Sequence, residues 1–339
     1  MVVNVGVVGY GYWGPNLVRN VLTIKEFKLT HICDLKKENL QNVEILYPSI
    51  ITTSKVEDII NNKEIHAVII ATPPNTHYLL AKKALENKKH VFVEKPITNK
   101  SSEALELVSI AKKNNLILMT GHTFVYSGAV KKMKELIDNG DIGEVLHIHS
   151  SRLNLGAFQK DNVVWDLMPH DLSMILYLLN GIMPQKIVAA GLSHFNTGVE
   201  DTASATLIFP GNKSANINVS WLDPCKVRNF TVIGSKKMVV YDETNPVEKI
   251  KVYDKGVQKN DDNYREFRAS YRYGDTHIPK IDETEALRTE MLHFHDCIAH
   301  NKRPLSDGEE GYKIVKIIEM IQESIRHINQ CCEEIKNGK

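Results

Sequence analysis

Lys95, Asp166 and His170 are the residues whose types and spacing best suit proton-transfer chemistry in this chain. Lys95 follows the apolar segment HVFVE, and the other two lie in NVVWDLMPHDLSMILYLLN (162–180). A lysine can hydrogen-bond an oxygen that gains negative charge, and a neutral imidazole can accept a proton. The three side chains together therefore suit the removal of a proton from a substrate hydroxyl.

Polar residues crowd the start of the apolar helix that the segment 162–180 predicts. Because proline breaks a helix when it lies deep inside one, Pro169 predicts that the helix begins near that residue. His170 then falls in the first turn, where the helix dipole disfavours a positive charge and keeps the imidazole neutral. We expect Asp166 to orient the ring and Asp171 to cap the first turn. The alternative is that both aspartates only cap the helix while His170 packs in the core.

The position of Lys95 also allows two interpretations. The segment HVFVEKPIT predicts a buried strand that ends in Glu94, Lys95 and Pro96. In open α/β sheets, side chains at the carboxyl ends of strands face the ligand crevice. In the first interpretation, Lys95 lies in that crevice and stabilises a developing alkoxide on the substrate. In the second, it is an ordinary lysine at a strand end, whose aliphatic part packs against the protein while its ammonium group reaches water.

The pattern of strands and helices predicts two domains in an α/β chain. Residues 1–122 alternate short β-branched runs with helical stretches, which is typical of a Rossmann-type, doubly wound parallel sheet. Residues 123–307 contain successive strands joined by short turns, which predicts a mainly antiparallel sheet in a second domain. Closing helices are predicted at 283–300 and 308–335, the second of which could pack back on the first domain.

A dinucleotide signal opens the chain. The stretch VVNVGVVGYGYWGPNLVRN places Gly9, Gly11 and Gly14 between a buried strand and a helix, and Asp34 follows the next strand. The glycines allow a tight turn and close approach to a pyrophosphate, which a helix N-terminus stabilises. The alternative is a structural turn with an exposed aspartate.

The charge of Asp34 predicts which dinucleotide binds. A carboxylate accepts hydrogen bonds from the ribose hydroxyls and repels a 2′-phosphate, so NAD is favoured over NADP. Lys36 and Lys37 lie close enough in sequence to soften that preference.

Composition excludes several classes of protein. The 339 residues are 42% hydrophobic and 24% charged with a formal net charge of +1, which favours neither nucleic acid nor an anionic membrane as partner. No apolar run is long enough to span a bilayer and the N-terminus does not resemble a signal peptide, so we expect a cytoplasmic protein. The five scattered cysteines lack the spacing of a zinc site, and no metal is expected.

Four motifs in this order and spacing, GYGYWG, ATPPNTH, VEKP and WDLMPHD, resemble those of the Gfo/Idh/MocA family of oxidoreductases. The resemblance covers essentially the whole chain. It implies an NAD-binding Rossmann domain followed by a substrate-binding and oligomerisation α/β domain, over 123–307, with an open, mostly antiparallel sheet. It also implies a homodimer or homotetramer built through the open sheet.

The resemblance assigns roles to individual positions. Lys95 matches the family's catalytic lysine, Asp166 its aspartate, and His170 the histidine that acts as acid and base. The residues that it places along the cofactor are Gly9, Gly11, Tyr12, Trp13, Gly14, Asp34, Thr72, Pro73, Asn75, His77, Glu94, Lys95 and His122.

The stretches MTGHTFVYSGAV and SRLNLGAFQKDNVVWDLMPHDLS resemble the branch of the family that acts on nucleotide-linked amino sugars. The resemblance implies substrate contacts by Lys95, Tyr126, Arg152, Asn154, Asp166 and His170. Arg152 has two interpretations, contact with a substrate diphosphate or carboxylate, or an ion pair on the face of a strand.

The expected reaction is NAD-dependent oxidation of C3 of UDP-N-acetylglucosamine to the 3-keto sugar, which an aminotransferase would then consume. Four alternatives remain: a dehydrogenase of the corresponding uronate, a 3-keto-sugar reductase that runs the chemistry backwards, an inositol or polyol dehydrogenase, and a non-catalytic NAD sensor. The presence of all three proposed catalytic side chains argues against the sensor.

Overall fold

The computed structural model describes residues 1–156, 161–196, 198–259 and 269–336. The chain divides into two compact units, each built from two segments. Unit 1 comprises Met1–Tyr126 and Thr284–Lys316, and unit 2 comprises Ser127–Glu283 and Ile317–Lys339. The sequence placed residues 284–307 in the second domain, whereas they pack in unit 1.

Unit 1 contains a six-stranded parallel sheet in the order β3-β2-β1-β4-β5-β6. Its strands are β1 (Val3–Val8), β2 (Phe27–Cys33), β3 (Ile51–Thr53), β4 (Ala67–Ile70), β5 (His90–Glu94) and β6 (Leu118–Gly121). Its helices are α1 (Gly14–Leu22), α2 (Lys37–Leu46), α3 (Glu57–Ile60), α4 (Pro74–Glu86), α5 (Ser101–Asn114) and a short 3₁₀ helix at Thr123–Tyr126. The predicted doubly wound parallel sheet is confirmed, while α2 and β3 were not predicted.

The returning segment supplies part of the core of unit 1. Helix α8 (Ala286–His300) places Phe294, which is fully buried, between Phe27 and Phe92. The ring centroid of Phe294 lies 6.3 Å from that of Phe27 and 5.8 Å from that of Phe92. Because buried aromatic side chains contribute strongly to core stability, α8 is an integral part of unit 1.

Unit 2 contains an eight-stranded sheet in the order β14-β13-β12-β11-β7-β10-β9-β8. Its strands are β7 (Val145–Leu155), β8 (Lys186–Leu192), β9 (Thr202–Phe209), β10 (Lys213–Ser220), β11 (Leu222–Gly234), β12 (Met238–Asp242), β13 (Ile250–Lys259) and β14 (Ala269–His277). The sheet is mostly antiparallel, as expected, and β7 and β10 pair in parallel. Strand β14 was not predicted.

One face of the unit 2 sheet is buried. Strand β9 alternates buried and less buried residues, which is the signature of a strand with one covered face. The helices of this unit are α6 (Gly128–Asp138), α7 (Val163–Leu178) and the latter part of α9 (Gly308–Lys336), whose Ile317, Ile321 and Ile325 are fully buried. Hydrogen bonds between Ser324 and Ala189 fasten α9 to β8.

Among the described residues, no helix is both long enough and apolar enough to cross a membrane.

Candidate active site

The glycine loop of unit 1 is shaped by close backbone contacts. Gly9 has φ +99°, and a Cβ there would lie 2.6 Å from the carbonyl oxygen of Ala71. A Cβ on Gly14 would lie 2.5 Å from the carbonyl oxygen of Gly9, whereas one on Gly11 would meet nothing within 4 Å. Gly9 and Gly14 are thus required by the fold of the loop, and Gly11 leaves its outer surface open to a ligand.

Asp34 fastens this loop to the end of β2. Its Oδ2 accepts a hydrogen bond of 2.7 Å from the backbone N–H of Tyr10, and its Oδ1 accepts one of 2.8 Å from that of Lys36. Each carboxylate oxygen has a second lone pair that a ribose hydroxyl can use. The neighbouring Leu35 is 87% exposed and offers an apolar surface to a base. These features fit the adenosine half of NAD.

Tyr12 and Trp13 project from the loop in different environments. Tyr12 is 96% exposed, while Trp13 is 38% exposed and flanks the N-terminus of α1. The cofactor-binding roles of both residues stay predictions.

The segment ATPPNTH joins β4 to α4 and contains a buried histidine. One ring nitrogen of His77 lies 2.8 Å from the carbonyl oxygen of Pro96, and the other lies 2.7 Å from that of Thr72. Burial lowers the pKa of His77, with its carbonyl partners acting in the opposite direction. His77 is 1% exposed and holds the backbones of Thr72 and Pro96 in place, and its contact with the cofactor stays a prediction.

Thr72, Pro73 and Asn75 form the rest of the predicted cofactor loop. The hydroxyl of Thr72 lies 2.6 Å from that of Thr76, which also donates to the carbonyl of Pro73 at 2.8 Å. The loop is thus internally fixed at the carboxyl edge of β4, where a dinucleotide is expected.

Glu94 and Lys95 follow β5 at the same edge. The backbone N–H of Lys95 donates to Oε2 of Glu94 at 3.3 Å. Burial raises the pKa of Glu94 to about 7, although the charge of Lys95 acts to lower it. A carboxyl with this pKa changes charge near neutral pH, which is uncommon for an acid outside a functional site.

His122 follows β6 and is 2% exposed. Burial lowers its pKa to about 3, and the charge of Lys95 adds to the effect. Among the described residues neither ring nitrogen has a hydrogen-bond partner. His122 is therefore a buried neutral histidine beside the catalytic candidate Lys95, and its contact with the cofactor stays a prediction.

Tyr126 lies inside unit 1. It is 2% exposed, its hydroxyl is 3.1 Å from that of Ser306, and its ring packs against His293 at 5.5 Å. These contacts give Tyr126 an interior structural role, and nothing in them supports the predicted substrate contact.

In unit 2, helix α7 begins earlier than the sequence predicted. Asn162 caps it by accepting a 3.2 Å hydrogen bond from the N–H of Trp165, and Pro169 lies inside the helix. His170 is therefore in the second turn, so the prediction that the helix begins near Pro169 is wrong. The proline costs about 3 kcal/mol, and burial of most side chains along α7, each worth about 1.5–3 kcal/mol when apolar, offsets it.

Asp166 and His170 are four residues apart on α7 and therefore lie on the same face of the helix. Oδ2 of Asp166 accepts a 3.2 Å hydrogen bond from the indole N–H of Trp221, which is 1% exposed. The backbone of Trp221 is held in turn by Asp201 and Gly156. Trp221, which the sequence did not single out, thus orients the aspartate.

Asp171 points to the other side of α7 and makes a buried ion pair. Arg152 on β7 donates from Nε and Nη2 to the two carboxylate oxygens of Asp171, at 3.0 Å and 3.2 Å. The hydroxyl of Ser150 donates to the same carboxylate at 2.8 Å, and Glu243 lies 3.5 Å from Nη1 of Arg152. Arg152 is 5% exposed and Asp171 1%. Asp171 is thus not a helix cap, and the ion-pair interpretation of Arg152 is the one that these contacts match.

Asn154 is paired with a second arginine that the sequence did not single out. Its side-chain oxygen accepts a 2.6 Å hydrogen bond from Nη2 of Arg228, whose Nη1 donates to the carbonyls of Leu153 and Val227. Burial lowers the pKa of Arg228, and the charge of Arg152 adds to the effect. The neighbouring residues 157–160, part of a stretch used to predict the substrate class, lie outside the described residues.

Comparison with known proteins decides the family. Residues 3–122 match the oxidoreductase family with an NAD-binding Rossmann fold, and residues 130–240 match the Gfo/Idh/MocA C-terminal domain. The chain belongs to the Gfo/Idh/MocA family. The predicted resemblance is confirmed, and with it the NAD-binding domain that carries the glycine loop and Asp34.

Relatives within the Gfo/Idh/MocA family have different activities. The 2,7-anhydro-N-acetylneuraminate hydratase of Escherichia coli K12 is 31% identical over 231 residues, which are 63% of this chain and 61% of the relative. The inositol 2-dehydrogenase of Salmonella paratyphi B is 25% identical over 186 residues, 53% of this chain and 55% of the relative. The matches thus span less than two thirds of either relative's length.

A solved structure covers nearly the whole chain. The UDP-N-acetylglucosamine 3-dehydrogenase GnnA of Acidithiobacillus ferrooxidans superposes with a TM-score of 0.79 at 23% identity, over 96% of this chain and 98% of that one. At this identity the likeness establishes the shared Gfo/Idh/MocA fold.

Proposed function

We propose that this protein oxidises a ring hydroxyl of a sugar with NAD⁺, and that its substrate is UDP-N-acetylglucosamine, oxidised at C3. The observation that supports the reaction is the position of His170 one turn after Asp166 on α7, with the Asp166 carboxylate held by Trp221. Lys95 supplies the third group from the carboxyl edge of the NAD-binding sheet. The substrate rests on the sequence resemblance and on the likeness to GnnA.

Each of the three side chains has a separate role in this reaction. A ring nitrogen of His170 takes the hydroxyl proton, and Asp166 on the same helix face fixes the ring and stabilises the imidazolium that forms. The ammonium of Lys95 hydrogen-bonds the same substrate oxygen as its negative charge develops. NAD⁺, when bound, supplies the hydride acceptor. The glycine loop, Asp34, and the loop held by His77 position it.

The test is NADH absorbance after mixing the protein with NAD⁺ and a panel of sugars. The panel contains UDP-N-acetylglucosamine, its uronate, myo-inositol, glucose and 2,7-anhydro-N-acetylneuraminate, the last because of the E. coli relative. Glutamate and a 3-aminotransferase are included because they consume the ketone, whose formation is unfavourable at equilibrium. Products are identified by mass spectrometry. We expect a 3-amino product from UDP-N-acetylglucosamine alone.

Other outcomes assign the protein differently. Activity only with inositol or glucose would reject a nucleotide sugar as the substrate, but it would retain the proposed hydroxyl oxidation. Activity only with the uronate, or only as reduction of a 3-keto sugar with NADPH, would assign the corresponding alternative. As a matched control, Lys100→Met removes an exposed lysine five residues from Lys95 and is expected to leave turnover unchanged.

A further inference from the structure

The hydrogen bond between Trp221 and Asp166 joins two elements of unit 2 that are distant in the chain. Asp166 lies in the first turn of α7, and Trp221 lies between the end of β10 and the start of β11. The indole nitrogen is 3.2 Å from the carboxylate oxygen. This separation depends on the residues that fix the two backbones relative to each other.

Glu200 holds the start of α7. Its carbonyl oxygen accepts a 2.9 Å hydrogen bond from the backbone N–H of Val163, the first residue of the helix. The first N–H groups of a helix have no partner inside the helix, so this contact satisfies one of them. The carboxylate of Glu200 also accepts a hydrogen bond from the side-chain N–H of Asn162.

The orientation of the Asn162 amide follows from its partners. Its nitrogen donates to the carboxylate of Glu200 and, at 3.0 Å, to the side-chain oxygen of Gln322 on α9. Because the nitrogen and the oxygen of an amide lie on different sides of the group, these bonds turn the oxygen toward the helix. That oxygen caps α7 at the N–H of Trp165.

Asp201, the next residue after Glu200, holds the backbone of Trp221. Its carbonyl oxygen accepts a 3.0 Å hydrogen bond from the backbone N–H of Trp221. Its own N–H donates to the carbonyl of Leu192 at 3.0 Å and so joins the start of β9 to the end of β8. The backbone of Trp221 is thus attached to this pair of strands.

The side chain of Asp201 fixes the connection between β8 and β9. It is fully buried, and its Oδ2 accepts hydrogen bonds from the backbone N–H groups of His194 at 2.7 Å and Phe195 at 3.1 Å. Nδ1 of His194 lies 2.7 Å from Oδ1 and donates to it, since a carboxylate only accepts. A buried carboxylate is stable when it is hydrogen-bonded in this way, so Asp201 has one defined position.

We propose that Glu200 and Asp201 are positioning residues for the reaction: they fix the start of α7 and the backbone of Trp221 at one place, and thereby hold the Asp166 carboxylate on the indole N–H. The inference rests on the proposed function, because the orientation of Asp166 matters only if Asp166 takes part in catalysis. Both residues act through Asp166 rather than on the sugar or NAD⁺. Loss of either should therefore lower kcat and leave KM and the Kd of NAD⁺ unchanged.

Kinetics of variants test this separation of kcat from KM. Glu200→Ala removes the acceptor for the Asn162 amide and should lower kcat by about tenfold, as expected for a lost hydrogen bond to a charged group. Glu200→Gln retains an acceptor oxygen and should restore most of kcat. Asp201→Asn replaces an acceptor oxygen with a donor that faces other donors, and should lower kcat to a similar extent. Glu323→Ala removes an exposed glutamate of α9 and is the matched control.

A second measurement needs neither sugar nor cofactor. The chain has three tryptophans, Trp13, Trp165 and Trp221, so a ¹⁵N spectrum of the full chain contains three indole N–H signals, and Trp221→Phe identifies the third. In Glu200→Ala and Asp201→Asn this signal should shift, and its hydrogen should exchange with solvent at least about tenfold faster. Trp13 belongs to unit 1, and its signal is the internal reference.

The inference is overturned if the Trp221 signal of both variants matches the wild type in position and exchange rate, or if Glu200→Ala raises KM and leaves kcat unchanged. The inference and the proposed function fail separately. If no sugar is oxidised but the Trp221 signal responds, the proposed function fails and the link from Glu200 and Asp201 to Trp221 stands. If the sugar is oxidised and the signal does not respond, only this inference fails.

Discussion

The indole N–H of Trp221 donates a hydrogen bond to the carboxylate of Asp166, from a residue 55 positions further along the chain. The carboxylate that is expected to steady His170 is therefore held by a buried side chain of the unit 2 sheet. This hydrogen bond restricts rotation of the Asp166 side chain. Its effect can be tested independently of the other site residues.

Trp221→Phe keeps most of the ring volume and removes the N–H. A hydrogen bond to a charged group is worth about 1.5–3 kcal/mol, so we expect kcat to fall by at least about tenfold. The Kd of NAD⁺ should not change, because Trp221 belongs to the other unit. Steady-state kinetics and a cofactor titration measure the two effects. Unchanged kcat in a folded variant would remove Trp221 from the site.

Lys95→Met and His170→Asn test the proposed chemistry. General-base assistance is worth roughly 10²–10⁴-fold, so each substitution should lower turnover by at least about 10². Binding of NAD⁺ to His170→Asn should remain close to that of the wild type. Wild-type rates in both variants would reject the catalytic assignment.

The buried ion pair Arg152–Asp171 predicts that removing one charge lowers stability more than removing both charges. Arg152→Met leaves the carboxylate of Asp171 buried without its partner and should cost about 3–5 kcal/mol of unfolding free energy. The double variant Arg152→Met/Asp171→Leu removes both charges and should recover much of that loss. Denaturant unfolding monitored by circular dichroism gives the comparison. If the single variant is as stable as the wild type, the ion pair is not what holds α7 against β7.

Two buried groups predict opposite dependences of stability on pH. The pKa of Glu94 is raised from 4.5 to about 7, so its contribution is fully present below about pH 4.5 and is lost as the pH rises through about 7. The pKa of His122 is lowered from 6.5 to about 3, so its contribution is fully present above 6.5 and is lost as the pH falls toward 3.

Calorimetric Tm values from about pH 3.5 to 8 measure these contributions. Glu94→Gln should flatten the decline on the alkaline side, and His122→Asn should flatten the decline on the acid side. His300→Asn replaces an exposed histidine and serves as the control. If the two buried variants follow the wild-type curve throughout, neither group titrates as the structure indicates.

Local patterns in the sequence were enough to predict the two sheets and the glycine loop. The parallel sheet follows from strands that alternate with helices, and the turn at Gly9 follows from the spacing of three glycines. Asp34 was correctly placed after β2, but its hydrogen bonds to the loop backbone were not foreseen, because they depend on how the two strand ends meet.

Long-range partners could not be predicted from local patterns. The hydrogen bond between Thr123 and Glu290 joins residues that are far apart in sequence, and no spacing marks Trp221 as the partner of Asp166. The start of α7 was misjudged for a different reason. The rule that proline begins a helix considers the missing hydrogen bond alone, whereas the cap at Asn162 and the burial of α7 outweigh that loss.

Helix α8 packs in unit 1 although it follows most of unit 2 in the chain. The order of synthesis therefore limits when unit 1 can fold. Phe294 fills the space between Phe27 and Phe92, and Glu290 lies in the interior, where its carboxyl accepts a hydrogen bond from Thr123. A ribosome has to translate the whole of unit 2 up to residue 283 before these side chains exist. The NAD-binding unit therefore cannot complete its core during early synthesis, and a fragment ending at Tyr126 would expose an unfilled apolar surface rather than fold as a working half.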